Sequence, residues 1–448
     1  MADIELENST NLQSKRPFPD SGLVTCDWYL KKRKRNCNDP PVENSKRCKF
    51  HVGKIRTEIV RIKCPVDPSH EIWSNKVESH IKKCSKHLES KYEKLSPCYK
   101  KDVNRTQLFT KVVSGFATKT KKSTDEKFTG KAEEETLEVE WILEKLEKIY
   151  DTGKRILRID KTLHPRATKD FVKKTDSEKH KYQMKQILDI YEKHGFFTES
   201  DNSFSLFLEY GCGKAQLTQA IQEFTKVKYP DFDPRYILVE REARKLKSED
   251  KKVSVRLRLD LMDFDLGRLF REKVVLPNID KNLTLQHKVH LKTSYESILT
   301  MQKKLENCNS RSIIQAKHLC GAATDLALLS IENADFNAGL NEKEHKFGFG
   351  MATCCHHVSD WNLYTGKPFF DELELEEPER VFNALKKISH WATGLEDEKK
   401  QEIGSKAKQI IDFGRLWYTK EKLGLENRFY IDYCDKEITP EHYLILAY

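Results

Sequence analysis

Five cysteines and three histidines lie within 59 positions near the start of the chain, from Cys26 to Cys84. Few large apolar side chains accompany them, so this stretch cannot build an ordinary hydrophobic core. The chain starts without a basic segment followed by an apolar run, which predicts an intracellular protein whose cysteines stay reduced. In that compartment, thiols and imidazoles at close spacing predict metal ligands rather than disulfides.

The eight residues divide into two sets of four. In the second set, two cysteines and two histidines lie within 21 residues, which suits a closed structural zinc site. Its last segment is compatible with a helix, and a separation of four would place His80 and Cys84 on one helix face. We therefore predict a CCCH-type finger over residues 23–54 and a CHHC-type finger over 60–86. The expected zinc ligands are Cys26, Cys37, Cys48 and His51 in the first finger and Cys64, His70, His80 and Cys84 in the second.

Five consecutive cations stand between the first two cysteines: Lys31, Lys32, Arg33, Lys34 and Arg35. Such a run suits contacts with RNA phosphates, and it equally suits a nuclear import signal. Trp28 and Tyr29 next to it offer surfaces on which bases could stack. The formal net charge of +10 agrees with a polyanionic partner but does not establish one.

The rest of the chain shows three kinds of segment. Residues 1–22 are polar and predict a disordered lead, and residues 87–137 alternate charges and predict a helical piece with a solvated linker. No apolar stretch approaches the ~18 residues of a membrane span, so we expect a soluble protein without a membrane partner, cytoplasmic or nuclear or both. Residues 138–448 then predict one catalytic domain.

Apolar runs alternate with helical patterns across this domain. The predicted helix covers 177–194, and the predicted strands cover 204–209, 236–240, 253–259, 312–316 and 347–353. Two further strands, 428–433 and 443–447, are joined by too short a turn for a crossover and should pair antiparallel. This pattern predicts an α/β fold with a mixed sheet, the class I (Rossmann-like) methyltransferase variant of the dinucleotide-binding architecture.

One predicted strand runs directly into the glycine turn Glu209-Tyr-Gly-Cys-Gly-Lys-Ala and then into a helix. Gly211 and Gly213 allow a ligand to approach the backbone, and the helix start offers free amide groups. Gln216 takes the place of the third fingerprint glycine, and an acidic residue precedes the first, which favours S-adenosylmethionine over a dinucleotide. Glu240 and Asp260 end the next two strands, where carboxylates can bind the ribose and lie near the adenine, or simply be solvated.

Two motifs make the chain recognisable: Ala316-Lys-His-Leu-Cys-Gly-Ala-Ala-Thr-Asp-Leu-Ala327, and Cys354-Cys-His-His357 followed by Trp361. Together with the two fingers, they resemble the tRNA methyltransferases that act on nucleotide 4 of the acceptor stem. The resemblance covers nearly the whole chain. It departs at three positions, since Cys212, Ala215 and Ser359 stand where the family usually has alanine, glycine and cysteine.

The resemblance implies methyl transfer from S-adenosylmethionine to a ribose 2′-oxygen of tRNA. Lys317 and His318 follow a predicted strand, so they should reach the ligand edge of the sheet. His318 is our candidate for the base and Lys317 for stabilising negative charge on the oxygen. The alternative is that Lys317 binds an RNA phosphate while His318 only packs. Asp325 would orient either side chain, or simply favour its helix start.

Residues Cys354 to His357 invite a third metal site, but in an extended segment only two of them could reach one ion. We expect them instead to form a wall of the pocket, with His356 or His357 contacting the nucleotide. Trp361 would stack on RNA or be buried. Two other functions stay open: an RNA-binding adaptor that retains a methyltransferase fold without activity, and an RNA base methyltransferase.

Overall fold

The computed structural model describes residues 25–30, 33–52, 60–105, 128–157, 162–163, 176–197, 203–242, 253–271, 273–334, 345–394 and 397–448. The predicted disordered lead lies outside these residues. The chain divides into two compact units between Ile81 and Lys82.

The smaller unit holds two short antiparallel hairpins. In the first, β1 (Tyr29–Leu30) pairs with β2 (Arg35–Asn36), and in the second, β3 (Arg61–Lys63) pairs with β4 (Glu71–Trp73). A 3-10 turn (Ser74–Lys76) then leads into helix α1 (Val77–Ile81). These elements are too short to bury a core by themselves, which agrees with a unit stabilised by metal.

The larger unit alternates helices and strands. Its strands are β5 (Thr162–Leu163), β6 (Ser203–Tyr210), β7 (Arg235–Val239), β8 (Ser254–Leu257), β9 (Asn309–Cys320), β10 (His345–Cys354), β11 (Arg428–Asp432) and β12 (Tyr443–Ala447). Its helices are α2 (Ser85–Lys94), α3 (Phe128–Leu157), α4 (Asp176–Lys193), α5 (Gln216–Lys228), α6 (Arg268–Arg271), α7 (Leu285–Asn307), α8 (Ala322–Glu332), α9 (Lys367–Glu372), α10 (Pro378–Ser389), α11 (Trp391–Gly394) and α12 (Glu398–Glu421). Short 3-10 turns cover Leu261–Asp263 and His356–Val358. Among the described residues, no helix is both long and apolar enough to cross a bilayer.

The eight strands found in the described part of the larger unit form one sheet in the order β5-β11-β12-β10-β9-β6-β7-β8. Strands β10, β9, β6, β7 and β8 run parallel to one another. β12 runs antiparallel to both of its neighbours, β10 and β11. The predicted α/β class, the antiparallel closing pair and the mixed sheet are therefore confirmed.

Helices cover both faces of the sheet, which explains why its central strands are apolar on both sides. Along β6, Leu206 and Leu208 face one core that also contains residues of α3, α10 and α12. Phe207, between them, faces a second core with residues of α4 and α5. Because side chains alternate along a strand, the sheet has an apolar core on each face, and the unit has three layers: helices, sheet and helices.

Residues 85–105, most of which we expected to be a helical piece and linker, belong to the larger unit and pack against the rest of it. Lys91 forms an ion pair with Asp280 (Nζ to Oδ2, 2.6 Å), and the Tyr92 hydroxyl lies 2.6 Å from Nδ1 of His290. Asn104 is buried and donates to the Leu261 carbonyl. The remainder of the predicted linker, up to residue 127, lies outside the described residues.

Candidate functional site

The glycine turn after β6 has left-handed backbone at three alternate residues. Gly211, Gly213 and Ala215 have φ angles of 59°, 52° and 56°. A Cβ on Gly211 would lie 3.0 Å from the Leu319 side chain, whereas a Cβ on Gly213 would meet no atom within 4 Å. Gly213 therefore leaves free space over the backbone, as a loop that receives a ligand requires. Ala215 adopts a conformation that glycine adopts more easily, so its cost is backbone strain and not only packing.

Two carboxylates organise this turn. Glu240, just after β7, accepts the Gly213 amide proton at 2.8 Å. Glu209, at the end of β6, is buried and accepts both the amide and the hydroxyl of Thr218 in α5. Burial raises the pKa of Glu209 to about 7, although the bonds from Thr218 oppose the shift.

Asp260 lies on the same edge of the sheet, after β8. Its Oδ1 accepts the Met262 amide proton at 3.0 Å, and its Oδ2 lies 3.5 Å from the Arg241 guanidinium. Because β6, β7 and β8 are parallel neighbours, their carboxyl ends bring the glycine turn, Glu240 and Asp260 to one side of the sheet.

Lys317 and His318 form a bulge near the end of β9. Ala316 pairs with Met351 of β10 and Leu319 pairs with Thr353, so two residues of β9 oppose the single residue Ala352. Such bulges redirect side chains and are common next to active sites. His318 has a φ of 81°, an uncommon value for a residue other than glycine and one that marks local strain.

The bulge directs both side chains towards α4. Lys317 Nζ lies 2.9 Å from Nδ1 of His180, and the rings of His180 and His318 are 6.4 Å apart. Desolvation lowers the pKa of Lys317 to about 8, against the attraction of Cys434 and Glu209. Desolvation, followed by the charges of Lys317 and His180, lowers the pKa of His318 below its ordinary value. His318 is thus neutral near pH 7, and its side chain is still exposed to solvent.

Asp325 does not fill the role expected of it. It is fully buried in α8, where its two carboxylate oxygens accept from the Arg415 guanidinium at 3.2 and 2.7 Å. Its Oδ1 also accepts from the amide and hydroxyl of Thr365. These contacts correct the prediction that Asp325 orients Lys317 or His318, because they assign it to a structural ion pair.

The prediction that His356 lines the pocket and contacts a nucleotide is also wrong. His356 is fully buried, with Nε2 2.9 Å from Oδ1 of Asp412, so it cannot contact a nucleotide. Asp412 also pairs with Arg415, which in turn bonds the Ser359 hydroxyl and the Gly321 carbonyl. Trp361 is half-buried and packs against aromatic rings of the core, so it matches neither full burial nor a free stacking surface.

His357 remains exposed. The buried network around Arg415 joins the segments that follow β9 and β10 to helix α12.

The structure brings the predicted zinc ligands together in two sets of four. In the first set, Nδ1 of His51 lies 3.5 Å from the Cys26 sulfur and 3.2 Å from the Cys48 sulfur, and the Cys37 and Cys48 sulfurs are 4.0 Å apart. Trp28 stacks on His51 with ring centres 5.0 Å apart, so the indole ring packs against one of the predicted zinc ligands. The ligand atoms of this set of four all lie within 4.8 Å of one another.

In the second set, Nε2 of His80 lies 3.3 Å from the Cys64 sulfur and 3.0 Å from Nε2 of His70. These atoms and the Cys84 sulfur lie within 4.8 Å of one another. The predicted helix does not reach Cys84, because α1 ends at Ile81 and Cys84 has extended backbone just before α2. A turn, not one helix face, places this ligand.

Part of the basic run is described. Arg33 and Lys34 are exposed in the turn between β1 and β2 and Arg35 is exposed at the start of β2, whereas Lys31 and Lys32 lie outside the described residues. The exposed cations are accessible to a polyanion.

Comparison with known families decides the assignment. The methyltransferase TRM13 family matches residues 182–397 and 393–448, which is more than half of the chain. The chain belongs to the TRM13 methyltransferase family. Residues 61–85 also match the U11-48K-like CHHC zinc finger, which agrees with the predicted finger over 60–86.

Three curated relatives illustrate the similarity, each called tRNA:m(4)X modification enzyme TRM13 or its homolog. The protein of Vanderwaltozyma polyspora is 26% identical, with 97% of this chain and 99% of the relative covered. The proteins of Saccharomyces cerevisiae (23% identical; 99% of each chain) and Dictyostelium discoideum (25%; 83% of this chain and 71% of the relative) are also similar. No solved structure matches the chain.

Sequence reasoning missed two residues of the candidate site. His180 lies on α4, far from the motifs in sequence, and is recognisable only through its contact with Lys317. Arg415 is fully buried in α12, where its pairing with Asp325 and Asp412 depends on tertiary contacts. The spacing of Asp412 and Arg415 on one helix face is visible in the sequence, but it does not reveal the pairing of Arg415 with Asp325.

Proposed function

We propose that this chain transfers a methyl group from S-adenosylmethionine to the ribose 2′-oxygen of nucleotide 4 in the acceptor stem of tRNA. One observation carries the proposal: in a TRM13 family member, a strained bulge holds Lys317 and His318 at the sheet edge that also carries the glycine turn. The packing of Leu319 against Gly211 links the two features directly. The names of the relatives supply the tRNA and the position.

The sheet order supports a class I methyltransferase fold. With the seven long strands numbered along the chain from β6, the order is 3-2-1-4-5-7-6, where strand 7 is antiparallel. The dinucleotide-binding order is 3-2-1-4-5-6. An antiparallel strand inserted next to strand 6 is the expected methyltransferase variant.

The glycine turn fits the cofactor. Gly213 has free space above it, and the Glu240 carboxylate lies beside that space, where it can accept bonds from ribose hydroxyls. Asp260 borders the adenine side, while Glu209 holds the turn in place through Thr218. S-adenosylmethionine, when bound, supplies an electrophilic methyl group on a sulfonium.

His318 and Lys317 have different roles at the ribose 2′-hydroxyl. A neutral imidazole that stays open to solvent can accept the proton of the ribose hydroxyl. The Lys317 ammonium, which has its pKa lowered to about 8, stabilises the negative charge that develops on that oxygen and still carries its own charge at neutral pH. His180 positions Lys317 because its Nδ1 accepts a hydrogen bond from the Lys317 ammonium.

The two fingers would supply affinity for the tRNA backbone. Their four-ligand sets fit structural zinc, and the exposed Arg33, Lys34 and Arg35 would contact phosphates.

The purified full chain, incubated with S-adenosylmethionine and a tRNA transcript, tests the proposal. We expect the phosphodiester after nucleotide 4 to become resistant to alkali, since 2′-O-methylation removes the attacking hydroxyl. Methylated RNA that is still cleaved at that bond would instead identify a base methyltransferase. Absence of calorimetric binding of S-adenosylmethionine would identify a non-enzymatic adaptor.

A further inference from the structure

Three thiols meet at the end of β9 and β10, beside the bulge. Cys320 is the last residue of β9 and Cys354 the last of β10, and the two are paired in the parallel register with sulfurs 3.4 Å apart. The sulfurs of Cys320, Cys354 and Cys355 all lie within 4.8 Å of one another.

The backbone of Cys355 brings the third thiol into this group. Consecutive residues of a strand point to opposite faces, which is why we expected only two residues of this segment to reach one ion. The strand ends at Cys354, however, and Cys355 has left-handed backbone with φ 47° and ψ 45°. This conformation is strained for cysteine, and such strain persists where the surrounding structure enforces it.

The surroundings do enforce it. Gly321, which follows Cys320, donates its amide proton to the Cys354 carbonyl, and a Cβ on it would lie 2.7 Å from the Val358 carbonyl carbon. Glu441 accepts the Cys355 amide proton and is itself paired with Lys408 at 2.7 Å. This acid therefore adds little uncompensated negative charge near three thiolates.

The two finger sets of this chain give a scale for the spacing. Their neighbouring ligand atoms lie 3.0 to 4.0 Å apart, and the Cys320 to Cys354 distance of 3.4 Å falls within that range. The fingers offer four ligands, whereas this group offers three and has Cys320 exposed to solvent. Three protein ligands with one open position are typical of zinc sites that keep a place for water or substrate.

We propose that Cys320, Cys354 and Cys355 bind a third zinc ion and leave its fourth position open to solvent on the exposed side of Cys320. Ser359, where the family commonly has cysteine, bonds Arg415 and is not part of this group. The ion would join the ends of β9 and β10, since one ligand lies only two residues after His318. It would thereby hold the bulge in register.

Zinc content of the full-length protein tests this inference without tRNA or S-adenosylmethionine, so the result does not depend on the proposed function. We expect about three zinc ions per wild-type chain and loss of about one in Cys320→Ser and in Cys354→Ser. Cys308→Ser, which alters a half-buried cysteine outside all three groups, should lose none. The double variant Cys64→Ser/Cys320→Ser should lose about two.

Unchanged zinc content in both Cys320→Ser and Cys354→Ser would overturn the inference. So would a Cys320–Cys354 disulfide, identified by mass spectrometry in protein purified without a reductant and carrying only two zinc ions. The circular dichroism spectrum of the exposed Cys320→Ser variant should match that of the wild type, which separates loss of metal from loss of folding.

Discussion

His318 is the residue on which the proposed chemistry depends most, because it combines a neutral ring, solvent access and a strained backbone in one position. A positioned general base contributes about 10²- to 10⁴-fold to a rate. His318→Ala should therefore slow single-turnover methylation by a factor in that range, with tRNA and cofactor affinities within a few-fold of the wild type. His390→Ala, which removes an exposed histidine after α10, should retain the wild-type rate. A loss below tenfold for His318→Ala would assign it to structure.

The pH dependence separates the roles of His318 and Lys317. The lowered pKa of His318 means that the rate should rise with pH below the ordinary histidine value of about 6.5 and level off as the ring becomes neutral. It should fall again through about 8 as Lys317 loses its proton.

Lys317→Arg keeps the charge at all accessible pH values, so its alkaline fall should disappear while the acidic rise remains. A wild-type rate that keeps rising through pH 8 would instead make neutral Lys317 the base.

At the level of elements, a substitution in the glycine turn can be compared with the same substitution at a similar glycine elsewhere in the chain. Gly213 and Gly424 both have left-handed φ, at 52° and 67°, and both have no atom within 4 Å of an added Cβ. Each change to alanine should cost about 1–2 kcal/mol of folding free energy through backbone strain, measured by denaturant unfolding.

Only Gly213→Ala should also weaken S-adenosylmethionine binding in calorimetry, because only its open space lies beside Glu240. Equal cofactor affinity in the two variants would mean that the turn does not bind the cofactor.

The elements also show what the sequence can and cannot predict. Apolar runs located the main strands, and the short turn before 443–447 correctly indicated an antiparallel pair, because both signals are local. The bulge at Lys317 is a property of register between β9 and β10, and neither strand encodes it alone. The same holds for Asp325, whose partner Arg415 is 90 residues away in sequence. At Cys84 the spacing predicted one helix face shared with His80, which is wrong because the helix ends at Ile81.

On the scale of the whole molecule, the two apolar cores of the larger unit contain none of the finger ligands, which predicts that damage to a finger stays local. Cys64→Ser should release about one zinc ion and unfold the second finger, since the metal supplies most of its folding free energy, on the order of 10 kcal/mol. The larger unit has its own cores and should still bind S-adenosylmethionine with wild-type affinity. Unchanged zinc content would contradict the ligand assignment, and lost cofactor binding would contradict the independence of the units.

The most direct test of the central claim compares two tRNA transcripts that differ by a single oxygen atom. One carries ribose at nucleotide 4 and the other 2′-deoxyribose, with identical bases throughout. Methyl transfer from labelled S-adenosylmethionine is measured with the same preparation of the full chain. If the ribose 2′-oxygen is the acceptor, the deoxy transcript should receive no label while binding nearly as well as the ribose transcript. Equal labelling of the two transcripts would show that the methyl group goes elsewhere and would contradict the account.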